Sequence, residues 1–315
     1  MGTDIYSTLL NINSNLNEND TYFKELYIYG SDQVVLQANT FEDIKSTEIT
    51  FMNFYKLTLV NIDAFNGTEN LIKKLLITNT PLVDFTHNDT TYNKYGIFLA
   101  INKLIELDEL YLQNTSIKVI PDNAFVNTTK LQVIQFKGPT EQIGASAFSK
   151  LTKLKRLMLL DHKLKHLSNM AFAFDTSLVT LNITLYPEFG YEFDMNNLSK
   201  DVYTGIKRPI KLDISMNKLA YLNESVYGHF IKQNSKNYVV KFNLDCQDCR
   251  NLWLWNRKYV KQVHGIGCQG TWFYDHKIFL NCSSPNKGYH ARPVEILYLF
   301  NIITIFMFAK IYNLL

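Results

Sequence analysis

A chain of 315 residues that is 46% apolar and 14% aromatic can bury a large core, which excludes a disordered protein. Its net charge of +3 comes from dispersed Lys and Arg rather than a run, so no nucleic acid and no anionic surface is implied as a partner. With Gly at 13, Pro at 7 and no linker rich in either, one continuous array is expected.

Residues 1–22 read as an N-terminal edge segment. They show no basic stretch followed by an apolar one, so no signal peptide is visible, and Tyr6 stands where a myristoylation motif wants Ser or Thr.

Residues 23–243 are repetitive. The clearest unit starts at Leu107 (LDELYLQNTSIKVIPDNAFVNTTK), with apolar residues at positions 1, 4, 6, 11 and 14, then Pro121 and the pair Ala124-Phe125. Similar units start at Leu131 and Leu154. With position 4 as marker, about eight copies run through Leu26, Ile49, Leu75, Leu110, Ile134, Leu157, Leu181 and Leu212, and a ninth is expected at Val240 and Phe242. Alternation at positions 4 and 6 predicts a short strand whose odd neighbours face solvent. Position 11, position 14 and the Ala-Phe pair fold the chain back and fill the space behind that strand. One such unit cannot bury its apolar face alone, whereas a stack shares a continuous core.

Two units are long. Residues 86–103 predict an extra amphipathic helix and residues 186–208 a second insertion; both either fill irregular space on the far side or offer a second binding surface.

The repeat pattern resembles the leucine-rich repeat family in its extracellular, 24-residue form, over roughly residues 23–285. The resemblance implies an α/β solenoid: a curved parallel sheet on the concave side, an irregular or short-helical convex side, and a disulfide-bonded C-terminal cap. In the family, position 9 is an Asn that satisfies turn backbone. Asn217 fits here, while Thr80, Thr115, Pro139 and His162 occupy the slot elsewhere, so His162 reads as a substitute ladder residue.

All four cysteines fall within residues 244–285, at Cys246, Cys249, Cys268 and Cys282. That clustering points to an extracellular disulfide module. A zinc site would want a second close pair, and a redox Cys-x-x-Cys a thioredoxin-like context. The segment resembles the C-terminal flanking cap of extracellular leucine-rich repeat proteins of the Toll, Slit and variable lymphocyte receptor class, although two residues rather than one separate its first cysteines. By that resemblance Cys246 pairs with Cys268 and Cys249 with Cys282; sequence alone allows three connectivities. Leu252, Trp255, Tyr259 and Val263 fall at helical spacing and are expected to cover the open end of the core. No matching cysteine module flanks the first repeat, so that edge is covered by residues 1–22 or by something outside the sequence.

A spacer (286–295) leads to a hydrophobic tail (296–315) that reads as a GPI signal, a transmembrane helix or a buried tail, the first two making the membrane a partner. Nine Asn-x-Ser/Thr acceptors, at Asn19, Asn66, Asn88, Asn114, Asn127, Asn182, Asn197, Asn223 and Asn281, agree with a secretory route and a glycoprotein at the cell surface or outside the cell.

The seven His show no HExxH pairing, and no nucleophile elbow or phosphate-cradling glycine loop is present, so no catalytic residue, metal or cofactor is expected. A protein ligand is. Position 5 of each strand points outward and reads Tyr27, Thr50, Leu76, Tyr111, Gln135, Met158, Asn182 and Asp213. Exposed Tyr, Leu and Met suit an interface. The ligand-binding set is therefore Tyr27, Leu76, Tyr111, Gln135 and Met158 with Lys155 and Arg156 alongside, and a glycan on Asn182 would bound it. The expected function is an extracellular, non-catalytic receptor or adhesion module; the alternative is a secreted, unanchored accessory subunit of an extracellular complex.

Overall fold

A computed structural model describes residues 5–15, 22–30, 32–84, 95–241, 243–245, 248–255, 259, 261–264, 267–268 and 271–272. Its dominant element is one parallel sheet whose ten described strands lie side by side in sequence order. They are β1 (Tyr22–Tyr29), β2 (Lys45–Met52), β3 (Lys74–Thr78), β4 (Glu109–Gln113), β5 (Val133–Lys137), β6 (Arg156–His162), β7 (Leu181–Pro187), β8 (Ile210–Asp213), β9 (Tyr238–Val240) and β10 (Val263–His264). One strand per repeat, each parallel to the last, is what a repeat must form when its return path runs behind the sheet.

The register is continuous. Leu26, Ile49, Leu75, Leu110, Ile134 and Leu157 stand in one row, as the position-4 reading expects. The row then runs through Ile183, not Leu181, before reaching Leu212. Leu181, Ile183 and Leu185 alternate and are all buried, so a shift of two keeps every side chain on its own face. The ninth marker is Val239, buried, rather than Val240. That slip of one residue does exchange faces.

Behind the sheet the chain returns through two-residue strands. Val119–Ile120, Gln142–Ile143 and His166–Leu167 form one parallel group, and Val35–Leu36 pairs with Leu59–Val60. Between the layers Phe41 stacks on Phe65 and Phe125 on Phe148, with ring centroids 5.5 and 5.7 Å apart. Each ring enters beside a small buried residue, as at Ala124, Ala147 and Ala171. The residue before that pair takes a left-handed conformation at Asn39, Asn123, Ser146 and Met170. Its amide is aimed at the next repeat: Asn123 donates to Ala145 O at 3.1 Å and Ser146 to Met170 O at 3.0 Å. The inter-repeat bond offsets the conformational cost of an L-residue there. Gly144 lies where the chain passes the preceding turn, and a Cβ would come within 2.3 Å of Asp122 Oδ1.

The long repeats are filled by short helices. The first holds α2 (Ile97–Ile101), which buries Ile97, Phe98, Ala100 and Ile101 and falls within the expected helix over 86–103, of which residues 86–94 lie outside the described residues. The second holds 3-10 turns at Met195–Asn197 and Lys200–Tyr203. Just after them, Arg208 is fully buried and donates to the main-chain carbonyls of Leu151 (2.9 Å), Leu154 and Val179 (2.8 Å). One guanidinium thus satisfies carbonyls in front of β6 and β7, where the repeat spacing is irregular.

At the N-terminal end α1 (Ile5–Ser14) buries Ile5 and Leu9, and the Ile5 amide donates to Gln33 Oε1 at 3.1 Å. That bond ties α1 to the return segment of the first repeat; residues 1–4 and 16–21 of the expected edge segment lie outside the described residues. Past β9 come a 3-10 helix, Cys249–Trp255, and then β10; Tyr259 between them is helical and buried, and residues 256–258 and 260 of the expected amphipathic helix lie outside the described residues. Leu254 and Asn251 are buried where Leu252 was expected, and Val263 is a sheet residue opposite Val239. Asn251 accepts from the Leu222 amide at 3.0 Å, and Trp253 Nε1 donates to Leu222 O at 2.7 Å, tying this segment to the last repeat.

Candidate protein-binding face

The outward face of the sheet is built by the residues that alternate with the buried row. Tyr27, Thr50, Leu76, Tyr111, Gln135 and Met158 lie side by side on consecutive strands. Thr184 continues the line in place of Asn182, and Asp213 follows. Tyr27 is 54% exposed, Thr50 is buried at 8%, and Leu76, Tyr111, Gln135 and Met158 are half-buried. Adjacent parallel strands are under 5 Å apart, at about 4.8 Å, so side chains in such a line shield one another and still show one edge to solvent.

Two tyrosines of this line are fixed by a carboxylate two residues earlier on their own strand. Tyr27 donates to Glu25 Oε2 and Tyr111 to Glu109 Oε2, both at 2.9 Å. The bond from Tyr27, with help from Lys24, holds the Glu25 carboxyl below its usual range, and Glu25 pushes the Tyr27 phenol up. Partial burial, then Glu109, pushes the Tyr111 phenol up to about 12. Both rings are therefore neutral and held in place, the state in which a tyrosine makes a low-entropy contact. A third phenol does the same across strands: Tyr186 donates to Asp213 Oδ2 at 3.1 Å, and Ser215 donates to Asp213 Oδ1 at 2.7 Å.

Lys155 and Arg156 are exposed at the start of β6. Lys155 Nζ donates to Gln132 Oε1 at 2.7 Å, and Arg156 stands between Val133 and Asn182. Asn182 is thus exposed on the outward face, but beside Arg156 rather than Met158. A glycan there would stand at the strand starts, to one side of the line. Asn127 and Asn197 are exposed as well. The side-chain amides of Asn66, Asn114 and Asn223 donate to Asn39 Oδ1, Asn79 Oδ1 and Asn196 O. Asn19, Asn88 and Asn281 lie outside the described residues.

Position 9 behaves as expected only in part. Asn217 is buried and donates to Leu185 O at 2.8 Å and Ile214 O at 3.2 Å. Buried His162 accepts the Leu164 amide on Nδ1 at 3.3 Å, while its Nε2 has no partner, and burial pushes its pKa down to about 4. The reading missed a second ladder one position earlier. Asn53, Asn79 and Asn114 all have positive φ, followed in the same slot by Gly138 and Asp161. Three asparagines at the same place in successive repeats were the available signal.

Among the described residues no group of three or more His, Cys, Asp or Glu is placed to hold a metal ion, and no helix is long and apolar enough to cross a membrane. The apolar tail, 296–315, lies outside them. Cys249 is disulfide-bonded, and Cys268 sits in a short hairpin with Thr271–Trp272. The expected pairings depend on positions or side chains outside the described residues.

Residues 100–200 match the family model described as the BspA-type leucine-rich repeat region, in six copies. The matched span includes β4 to β7, and the chain carries leucine-rich repeats, which commonly mediate protein–protein interaction and are generally non-catalytic. No curated protein matches the sequence.

Proposed function

We propose that the protein is an extracellular receptor or adhesion module that binds a protein partner on the outward face of its sheet, centred on Tyr111, Gln135 and Met158. The observation that carries this reading is the single line from Tyr27 to Met158, in which four aromatic or apolar residues are interspersed with Thr50 and Gln135 and two phenols are locked by carboxylates. Lys155 and Arg156 add positive charge beside it for orientation of the partner. The location outside the cell is supported by the nine glycosylation acceptors, by cysteines confined to one C-terminal segment and by a disulfide at Cys249. In this reading that segment is the disulfide-bonded cap of the Toll and Slit class, and the apolar tail anchors the protein.

The test is capture of surface-labelled proteins by the full chain, compared with Tyr111→Ala and Met158→Ala chains of unchanged thermal stability. Each substitution is expected to weaken binding of the captured partner by about tenfold or more, as central interface anchors do. Undiminished binding by both variants would remove the sheet face from consideration.

A further inference from the structure

The sheet has two ends, and they differ. At one, β10 has two residues. At the other, β1 has eight, Tyr22–Tyr29, and no described strand lies beyond it. Thr47 reaches β1 from the β2 side, donating to Lys24 O at 2.7 Å. Alternate backbone amides and carbonyls of a terminal strand point away from its neighbour and call for an extended chain as their complement.

The side chains say the same. Ile49 and Phe51 on β2 are buried, whereas Leu26 and Ile28, which pair with them on β1, are only half-buried. Exposed edges are ordinarily defended by Pro, by uncompensated Lys or by shortness. Here there is no Pro, and Lys24 pairs with Glu25 at 3.3 Å, cancelling the strand's only charges.

We propose that this edge pairs with the β1 of a second copy, antiparallel about a twofold axis, joining two sheets into one. A head-to-tail stack would have to use the two-residue β10 and would gain little pairing. The twofold arrangement uses Phe23 to Tyr29, all but the first residue of β1. With Leu26 opposite its own copy, the two Leu26 side chains meet on the inward face, and the stem of each Lys24 lies against Ile28 of the other copy. On the outward face Glu25 of each copy stands opposite Tyr27 of the other, so the phenol–carboxylate bond now made within the strand at 2.9 Å gains an equivalent across it. One pair of short strands makes an interface below about 1,200 Å², the size of transient complexes, so the dimer is weak and reversible.

Sedimentation of the full chain between about 1 and 100 µM, a range spanning weak association, should show a monomer–dimer equilibrium. Over the same range, hydrogen exchange should slow in residues 22–29 and stay constant in Glu109–Gln113. The double variant Glu25→Lys/Tyr27→Lys puts like charges across the axis and should raise the dimer dissociation constant at least about tenfold, with exchange in Glu109–Gln113 unchanged as proof of folding. A monomer at every concentration overturns the proposal. So does a dimer that survives the double variant, or one that protects a different segment. Tyr111→Ala and Met158→Ala should leave this equilibrium unchanged, which separates it from the face reading.

Discussion

Asn114 donates its side-chain amide to Asn79 Oδ1 at 2.7 Å, and Asn79 makes the same bond to Asn53 at 2.9 Å, so three successive repeats are joined at the surface by one kind of side chain. All three residues hold φ between 50° and 61°. Asn79→Ala is expected to cost about 1–2 kcal/mol, because it loses both bonds and replaces a residue that tolerates the left-handed region with one that does not. Asn79→Gly should cost under about 1 kcal/mol, since glycine takes that conformation freely. Urea unfolding of the two variants checks the order; equal losses would mean that the side-chain bonds, not the backbone, set the stability.

Arg208 has a larger role. Its substitution by Met would leave the carbonyls of Leu151, Leu154 and Val179 without their donor in a buried site. The expected loss is about 3–5 kcal/mol, in the range of broken buried polar networks. Arg208→Lys should recover less than half, as one ammonium lacks the fork that reaches three acceptors. Chemical denaturation with a lysine variant as stable as the parent would contradict this.

His162 gives a pH signature. Its pKa is pushed down to about 4 when folded, against about 6.5 when unfolded, so the unfolded chain binds the extra proton between those values. Stability is therefore fully present above about pH 6.5 and falls as the pH drops towards 4, by at most about 3 kcal/mol. His162→Asn, which restores the residue found at Asn217, should flatten that slope while leaving stability at pH 7 within about 1 kcal/mol. Melting temperatures between pH 4 and 7 decide it: a slope that persists in the variant assigns the proton to another group.

Asp84 should act in the opposite sense. Burial pushes its carboxyl up to about 7, even though it accepts the backbone amides of Ile97 and Phe98 at the start of α2, where Gly96 offers no side-chain cap. The folded protein then holds a proton that the unfolded chain loses near pH 4, so stability declines as the pH rises from about 4 to 7. Asp84→Asn keeps an acceptor without the charge. It should raise stability at pH 8 by about 1–3 kcal/mol and have little effect near pH 4. Equal melting temperatures of the two proteins at pH 8 would refute the assignment.

The repeat period was legible because burial forces it: the rows at Leu26, Ile49, Leu75, Leu110, Ile134 and Leu157 each need an apolar residue. It became ambiguous at β7, where Leu181 and Ile183 both satisfy the inward pattern and an irregular connection removes the length check. At β9 two adjacent valines, Val239 and Val240, offer opposite faces with the same hydropathy, and only pairing with Leu212 chooses between them. The segment from Leu252 to Val263 has helical spacing, yet pairing of Val263 with Val239 draws its end into the sheet. On the candidate face the line from Tyr27 to Met158 was readable, since one outward position per strand follows from the period. The carboxylates beneath Tyr27 and Tyr111 were not singled out, although the two-residue offset from Glu25 and Glu109 was there to be seen.

A stack of repeats in which each touches only its neighbours melts from its ends, one unit at a time. Arg208, standing before β8, reaches carbonyls before β7 and also those before β6, so it skips a neighbour. Strands β6 to β8 cannot peel off singly without stripping the guanidinium of its acceptors. A mechanical pull on the C-terminal side should therefore meet a single abrupt release at this block, and the half of the candidate face that holds Met158 is kept assembled when the outer rungs fray.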